Sequence, residues 1–200
     1  MRNSLAKGHH NKNRARSLGS SAGFTMIEMM IALAIFSITF GTIYKSFEHL
    51  NRSTTTENVK AGTQQAVRIA VDFMVQDIRL AGLNPLRSPG IGIQGASAES
   101  IQFTMDANFD GDDADTFENI TYTYNSGNGT LTQLNPPLNP EVLIDNVSDL
   151  NFTYLDTDEQ TTSDLNEIRS VIISLTMQRP AGRDEAVSRT YTTRVRCRNL

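Results

Sequence analysis

Cysteine, histidine and tryptophan are scarce in this 200-residue chain. Cys197 is the only cysteine and there is no tryptophan, so an intramolecular disulfide scaffold is excluded. His49 is the only histidine beyond residue 23, and nucleophilic catalysis needs a base beside its nucleophile. The sequence also lacks a glycine-rich phosphate loop, a Cys/His metal set and a nucleophile elbow. We therefore expect that the protein is not an enzyme.

Acidic residues are missing from the first 23 positions. This stretch has a formal charge of +5, whereas the rest of the chain carries −9. A basic segment ahead of an acidic body is typical of a chain that keeps its N-terminus on the cytoplasmic side of a membrane. The acidic body argues against nucleic-acid binding, because phosphates have to be neutralised by basic side chains.

An apolar stretch follows the basic segment. Residues 24–44 contain a single charge, Glu28, and a helix of that length can span ~30 Å of hydrocarbon. An ordinary secretory signal fits poorly, since its apolar core is usually ~7–15 residues and precedes a small-residue cleavage site. Here the small residues come before the apolar stretch. The sequence predicts a single-pass membrane protein with its N-terminus in the cytoplasm and the rest of the chain outside.

The junction between these two segments resembles the processing motif of type IV prepilins. It reads Gly23-Phe24-Thr25-Met26-Ile27-Glu28, with Met26 where leucine is more usual. The resemblance implies that a prepilin peptidase/methyltransferase removes the leader 1–23 after Gly23 and methylates the new N-terminus at Phe24. It also implies that Glu28, the fifth residue of the mature chain, acts in filament assembly.

The physical cost of Glu28 agrees with such a role. A carboxylate inside a bilayer costs a few kcal/mol or more and is usually kept for a function. A new ammonium group at Phe24 would lie about one helical turn away, on the same or a neighbouring subunit. The alternative is an uncut transmembrane anchor whose Glu28 lies near the lipid headgroups.

Beyond the apolar stretch, the helical pattern continues without proline until Pro85. We predict one helix over 24–81, with a membrane or filament-core half (24–45) and an amphipathic half (46–82). Gly41 is the weak point of the first half, and Arg68 and Asp72 have ion-pair spacing in the second. Gly82 and Asn84-Pro85 predict the stop. The apolar stripe of the second half comprises Val67, Ala70, Val71, Met74, Ile78 and Ala81.

The segment 67–85 resembles two groups of the same family, the W-type minor pilins of type IV pili and the J-type pseudopilins of type II secretion. Such subunits join other minor and major pilins or pseudopilins on an inner-membrane assembly platform. We expect a minor type IV pilin that helps to prime the pilus and sits near its tip. A J-type minor pseudopilin is the alternative, and an adhesive tip-binding module is a further one.

The remaining part, 83–200, is rich in strand signals. A long helix followed by antiparallel strands predicts an α+β class, in agreement with the pilin fold, in which a β-sheet head packs on the helix. The run 171–175 alternates imperfectly, which suggests a central strand buried on both faces. The predicted strands are 100–105, 119–124, 130–134, 142–144, 150–155, 168–177 and 188–195.

An acidic stretch, 106–118, holds six acids and no base. Its first half matches the start of an EF-hand-like loop, but Phe117 stands at the twelfth position and Glu118 falls one residue late. A Ca²⁺ site and a solvated acidic turn both remain open. The candidate ligands are Asp106, Asn108, Asp110, Asp112, Asp115 and Glu118. For a second acidic cluster, 156–167, we expect a solvated surface.

Overall fold

The computed structural model describes residues 23–182 and 185–200; the predicted leader, up to residue 22, lies outside them. Helix α1 covers Met26–Leu80, two residues shorter at its start than predicted and one at its end. It is continuous through Gly41. The chain divides into two units, one ending at Phe47 and one formed by Glu48–Leu200.

The second unit contains the end of α1 and eight strands in two antiparallel sheets. A five-stranded sheet has the order β1-β2-β3-β4-β5, and a three-stranded sheet has the order β6-β7-β8. The strands are β1 Ile93–Ala96, β2 Ser100–Thr104, β3 Asn119–Asn125, β4 Thr130–Leu134, β5 Glu141–Ile144, β6 Val147–Leu155, β7 Ser170–Pro180 and β8 Ala186–Arg196. The α+β pilin-like architecture is confirmed, although the single predicted sheet is in fact two.

The apolar stripe of α1 forms the helical side of the core. All six of its predicted members are buried, and they join one cluster with residues from both sheets, such as Phe103, Tyr122 and Leu175. Every residue of this cluster lies within Glu48–Leu200, so the second unit contains its own complete core.

Two predictions about this unit are wrong, and one strand was missed. Strand β1 was not predicted. The central strand β7 is buried on one face only, because Val171, Ile173, Leu175 and Met177 are buried while the residues between them are half-exposed. Among the described residues no ion pair joins Arg68 to Asp72; the Arg68 guanidinium instead lies 5.7 Å from the centre of the Tyr191 ring on β8.

Gly82 ends the helix in the predicted place. Its φ of +78° is the left-handed conformation that glycine adopts at little cost, and its N–H donates to the Thr104 carbonyl at 3.0 Å. A Cβ here would lie 2.4 Å from Leu200 Cδ2. The helix end is therefore fixed to strand β2 and to the last residues of the chain.

Candidate functional site

The first turn of α1 is closed by a reciprocal pair of hydrogen bonds between Thr25 and Glu28. Glu28 Oε2 accepts from the Thr25 backbone N–H at 2.8 Å and from its hydroxyl at 2.9 Å. The Glu28 N–H donates to Thr25 Oγ1 at 3.3 Å. This arrangement is a capping box. Sequence reasoning missed the part of Thr25, although the spacing Thr-x-x-Glu is the signal for it.

The Gly23-Phe24 bond lies just outside this cap, in irregular backbone. Phe24 is 84% exposed, and a Cβ added at Gly23 would meet nothing within 4 Å. A peptidase that cuts after Gly23 would therefore find an exposed, non-helical bond. Glycine at this position is not required by packing within the described chain, so its requirement would come from the peptidase.

The first part of α1 exposes apolar side chains around its whole circumference. From Met26 to Phe47 each large apolar side chain is more than half exposed, and the most apolar 18-residue window has a mean hydropathy of 2.0. The hydroxyls of Ser37, Thr39 and Ser46 donate to carbonyls one turn earlier. The exposed apolar side chains are consistent with membrane anchoring. The hydrogen bonds of the hydroxyls agree with it, because polar side chains in hydrocarbon need partners within the segment.

The acidic loop between β2 and β3 is organised by two buried carboxylates. Asp106, which is fully buried, accepts hydrogen bonds from the backbone N–H groups of Asp110 at 3.1 Å and Gly111 at 3.2 Å. Glu118, 1% exposed, accepts from the N–H groups of Ala107, Asn108 and Asp115. The two buried carboxylates are therefore satisfied by backbone N–H groups of the loop itself.

Three of the six predicted calcium ligands come together. Carboxylate oxygens of Asp110, Asp115 and Glu118 lie within 4.8 Å of one another. Asn108 Nδ2 donates to Asp110 at 2.9 Å and to Asp115 at 2.7 Å, so the amide group already bridges these two acids.

The other candidate acids point elsewhere. Asp106 is engaged with backbone donors, and Asp112 caps the N–H of Ala114 at 3.0 Å. The loop thus has oxygen donors of the type that Ca²⁺ prefers, while its hydrogen bonds also fit a solvated acidic turn. Calcium binding stays a prediction.

The second acidic cluster is largely solvated, as expected. Asp156 caps its own turn by accepting from the N–H groups of Asp158 and Gln160. Glu159 pairs with Arg194 of β8 at 2.9 Å. That pair was not predicted, since it joins residues far apart in the sequence.

A polar group inside the second unit also escaped prediction. Asp77, on α1, accepts hydrogen bonds from the Tyr122 hydroxyl and from Gln133 Nε2. Burial raises the pKa of the Asp77 carboxyl, and the bond from Tyr122 offsets part of this rise. Burial, together with the Asp77 charge and hydrogen bond, raises the pKa of the Tyr122 hydroxyl far above its usual range. The three side chains connect the helix to β3 and β4.

Comparison with known families matches the N-terminal region. Residues 19–44 fit the model described as the prokaryotic N-terminal methylation motif, which spans the junction at Gly23 and the apolar half of α1. This motif implies processing by a prepilin peptidase. The chain is thus similar to type IV pilins and pseudopilins in this N-terminal motif and in its pilin-like α+β fold. No curated protein matches the chain, and the matched motif does not specify a subtype of pilin or pseudopilin.

Proposed function

We propose that this chain is a minor type IV pilin, a structural subunit that helps to prime pilus assembly and lies near the pilus tip. The observation that carries the proposal is the methylation motif on a helix with exposed apolar side chains on every side. Such a helix is stable only in lipid or among other apolar helices, and a filament of helices provides the second environment.

In this proposal the peptidase/methyltransferase removes the leader 1–23 and methylates Phe24. Before assembly, the mature chain lies in the bacterial inner membrane, with residues 24–45 in the bilayer and its head, 83–200, in the periplasm. The exposure of Phe24 and the irregular backbone around Gly23 support access by the peptidase.

Glu28 is then the assembly residue. Between Phe24 and Tyr44 it is the only charged side chain, so an ammonium group provides its strongest partner in an apolar environment. The terminal amine that cleavage creates at Phe24 supplies that group, either in the same chain or in a neighbouring subunit. The capping box shows that Glu28 can face the start of the helix, where this amine would lie.

The minor role rests on the segment 67–85, which resembles W-type minor pilins. Its last residues form the helix stop at Gly82 and the contact with β2. The same segment also resembles J-type pseudopilins, which leaves a minor pseudopilin of type II secretion as the second candidate. In either case the partners are other pilins or pseudopilins and the inner-membrane assembly platform.

An in-frame deletion of the gene tests the proposal when surface pili and type II export are scored in the same strains. We expect loss of pili with export intact, and recovery on complementation with the wild-type gene. Lost export with normal pili would replace the proposal with the pseudopilin. Complementation by a Gly23→Val copy, which should not be cleaved, is the matched control and should fail in either system.

A further inference from the structure

Strand β8 leaves one edge of the three-stranded sheet without a strand partner among the described residues. It is 11 residues long and pairs with β7 on its other side. The opposite edge of that sheet is covered, because Phe152 and Val147 of β6 donate backbone hydrogen bonds to Ala98 and Gly129. A long free edge presents a row of backbone donors and acceptors that can pair with another chain.

The side chains of β8 select what can pair there. Arg194 and Arg196 are exposed on one face of the strand, and Arg198 is exposed just beyond its end. Within the described residues only Arg194 of these three has an acidic partner, Glu159. Two β8 strands would bring like charges together, which destabilises pairing, whereas an acidic strand would neutralise them.

Acidic residues are concentrated in the part of the chain before β7. We call residues 88–168 the base-free segment, because they contain fifteen aspartates and glutamates and no lysine, arginine or histidine. This segment includes all five strands of the larger sheet and β6. Each head therefore has an acidic part and a basic edge, and a second copy supplies the charge that β8 needs.

Strand β5 is the piece of the base-free segment that fits. It is an edge strand of its own sheet, it begins with the exposed Glu141, and Val142 is 56% exposed. The other edge strand of that sheet, β1, has no charged residue that could pair with the arginines of β8. Pro140 limits the available edge to the four residues of β5.

We propose that β5 of one copy adds to the free edge of β8 of a second copy, joined by main-chain hydrogen bonds and by the acid–arginine contacts. Two different edges meet, so the contact is heterologous (head-to-tail), and one pair of copies is enough to form it. This is recognition by β-strand addition, in which the backbone gives affinity and the side chains give specificity. The inference extends the proposed function, because assembly is what brings two heads together.

Cross-linking of the full chain in cell membranes tests the contact. One copy carries Val142→Cys and a co-expressed copy carries Thr192→Cys, and a short bismaleimide joins exposed thiols. We expect a product that contains both copies. The wild-type chain is the control for the native thiol, since Cys197 is buried and should give none. Product from Val142→Cys copies alone, or none above wild type, would overturn the proposal.

Charge reversal gives the second arm. Arg196→Glu with Arg198→Glu on the Thr192→Cys copy should reduce the product about tenfold, and Glu141→Arg on the other copy should restore part of it. Arg87→Glu changes an exposed arginine elsewhere and should have no effect. An unchanged yield after reversal would contradict the charge selection. If cross-linking fails while the deletion strain still loses pili, this contact is removed and the role in assembly stands.

Discussion

At the scale of one residue, Glu28 combines a hydrogen-bonded carboxylate with the assembly role that we propose for it. Its carboxylate is held by Thr25 before any partner subunit arrives, so the charge is partly satisfied in the single chain. Removal of such a group lowers the cost of membrane insertion and, under the proposed role, would also remove the partner of a Phe24 amine.

We therefore predict that Glu28→Ala leaves membrane insertion intact and impairs incorporation into the filament. Membrane fractionation and immunoblotting of sheared filaments measure the two properties. Glu48→Ala removes an exposed carboxylate from the same helix and serves as the matched control. Normal incorporation of the Glu28 variant would contradict the assembly role.

Asp77 gives a residue-scale prediction about pH. Its pKa is raised in the folded chain, so folding favours the protonated acid. The corresponding contribution to stability is fully present below pH 3.8, the ordinary value, and is lost as pH rises through the raised native pKa. Asp77→Asn cannot titrate and should remove this dependence while it keeps an acceptor for Tyr122. Urea unfolding of both proteins from pH 4 upward checks it; parallel curves would refute the prediction.

At the scale of elements, two glycines can be compared: Gly62 lies inside α1 and Gly82 lies just after its end. Gly82→Ala would put a side chain at φ +78° and 2.4 Å from Leu200 Cδ2, so we expect a loss of about 1–3 kcal/mol in stability. Gly62→Ala has open space and lies inside the helix, where alanine gains about 1 kcal/mol. The melting temperature should fall for Gly82→Ala and rise for Gly62→Ala. Equal shifts of the two melting temperatures would contradict this explanation.

The acidic loop yields a prediction about calcium. If Ca²⁺ binds among Asp110, Asp115 and Glu118, millimolar Ca²⁺ should raise the melting temperature, and Asp110→Ala should abolish the rise. Asp113→Ala makes the same charge change in the same loop outside that cluster and should keep it. No shift in the wild-type chain would leave the solvated acidic turn as the only description.

Local pattern was enough to predict some elements and not others. The buried stripe from Val67 to Ala81 repeats at helical spacing, so the sequence predicted its face correctly. Strand β1 has four residues with Gly95 among them, and so lacks the alternation that would predict it. The position of Arg68 over Tyr191 depends on how β8 lies beside α1, which no local pattern contains.

The candidate sites divide in the same way. The junction at Gly23 and Phe24 could be predicted from local sequence, because a peptidase and a membrane both interact with a continuous segment of the chain. The hydrogen bonds from Ala107 and Asn108 to Glu118 could not be predicted, since these residues come together only when β2 and β3 pair. Spacing therefore located the acids of this loop but did not predict the atoms with which they form hydrogen bonds.

For the whole molecule, the decisive quantity is the N-terminus of the assembled chain. We predict a mature protein that begins with N-methylated Phe24, measured by intact mass spectrometry of filament material. The same chain from a strain without the prepilin peptidase should retain Met1 and stay in the membrane. Assembled material that still carries Met1 would contradict processing and favour the uncut anchor.

The base-free segment has a practical consequence for detecting this subunit. Trypsin cuts after lysine and arginine, so Arg87 and Arg169 release one fragment, Ser88–Arg169, that contains the five-stranded sheet and β6 together. A fragment of that length is too long for routine peptide identification by mass spectrometry. Tryptic digestion of filaments would therefore detect this chain only through peptides from its helix and its last two strands. A protease that cuts at acidic residues would recover most of the head.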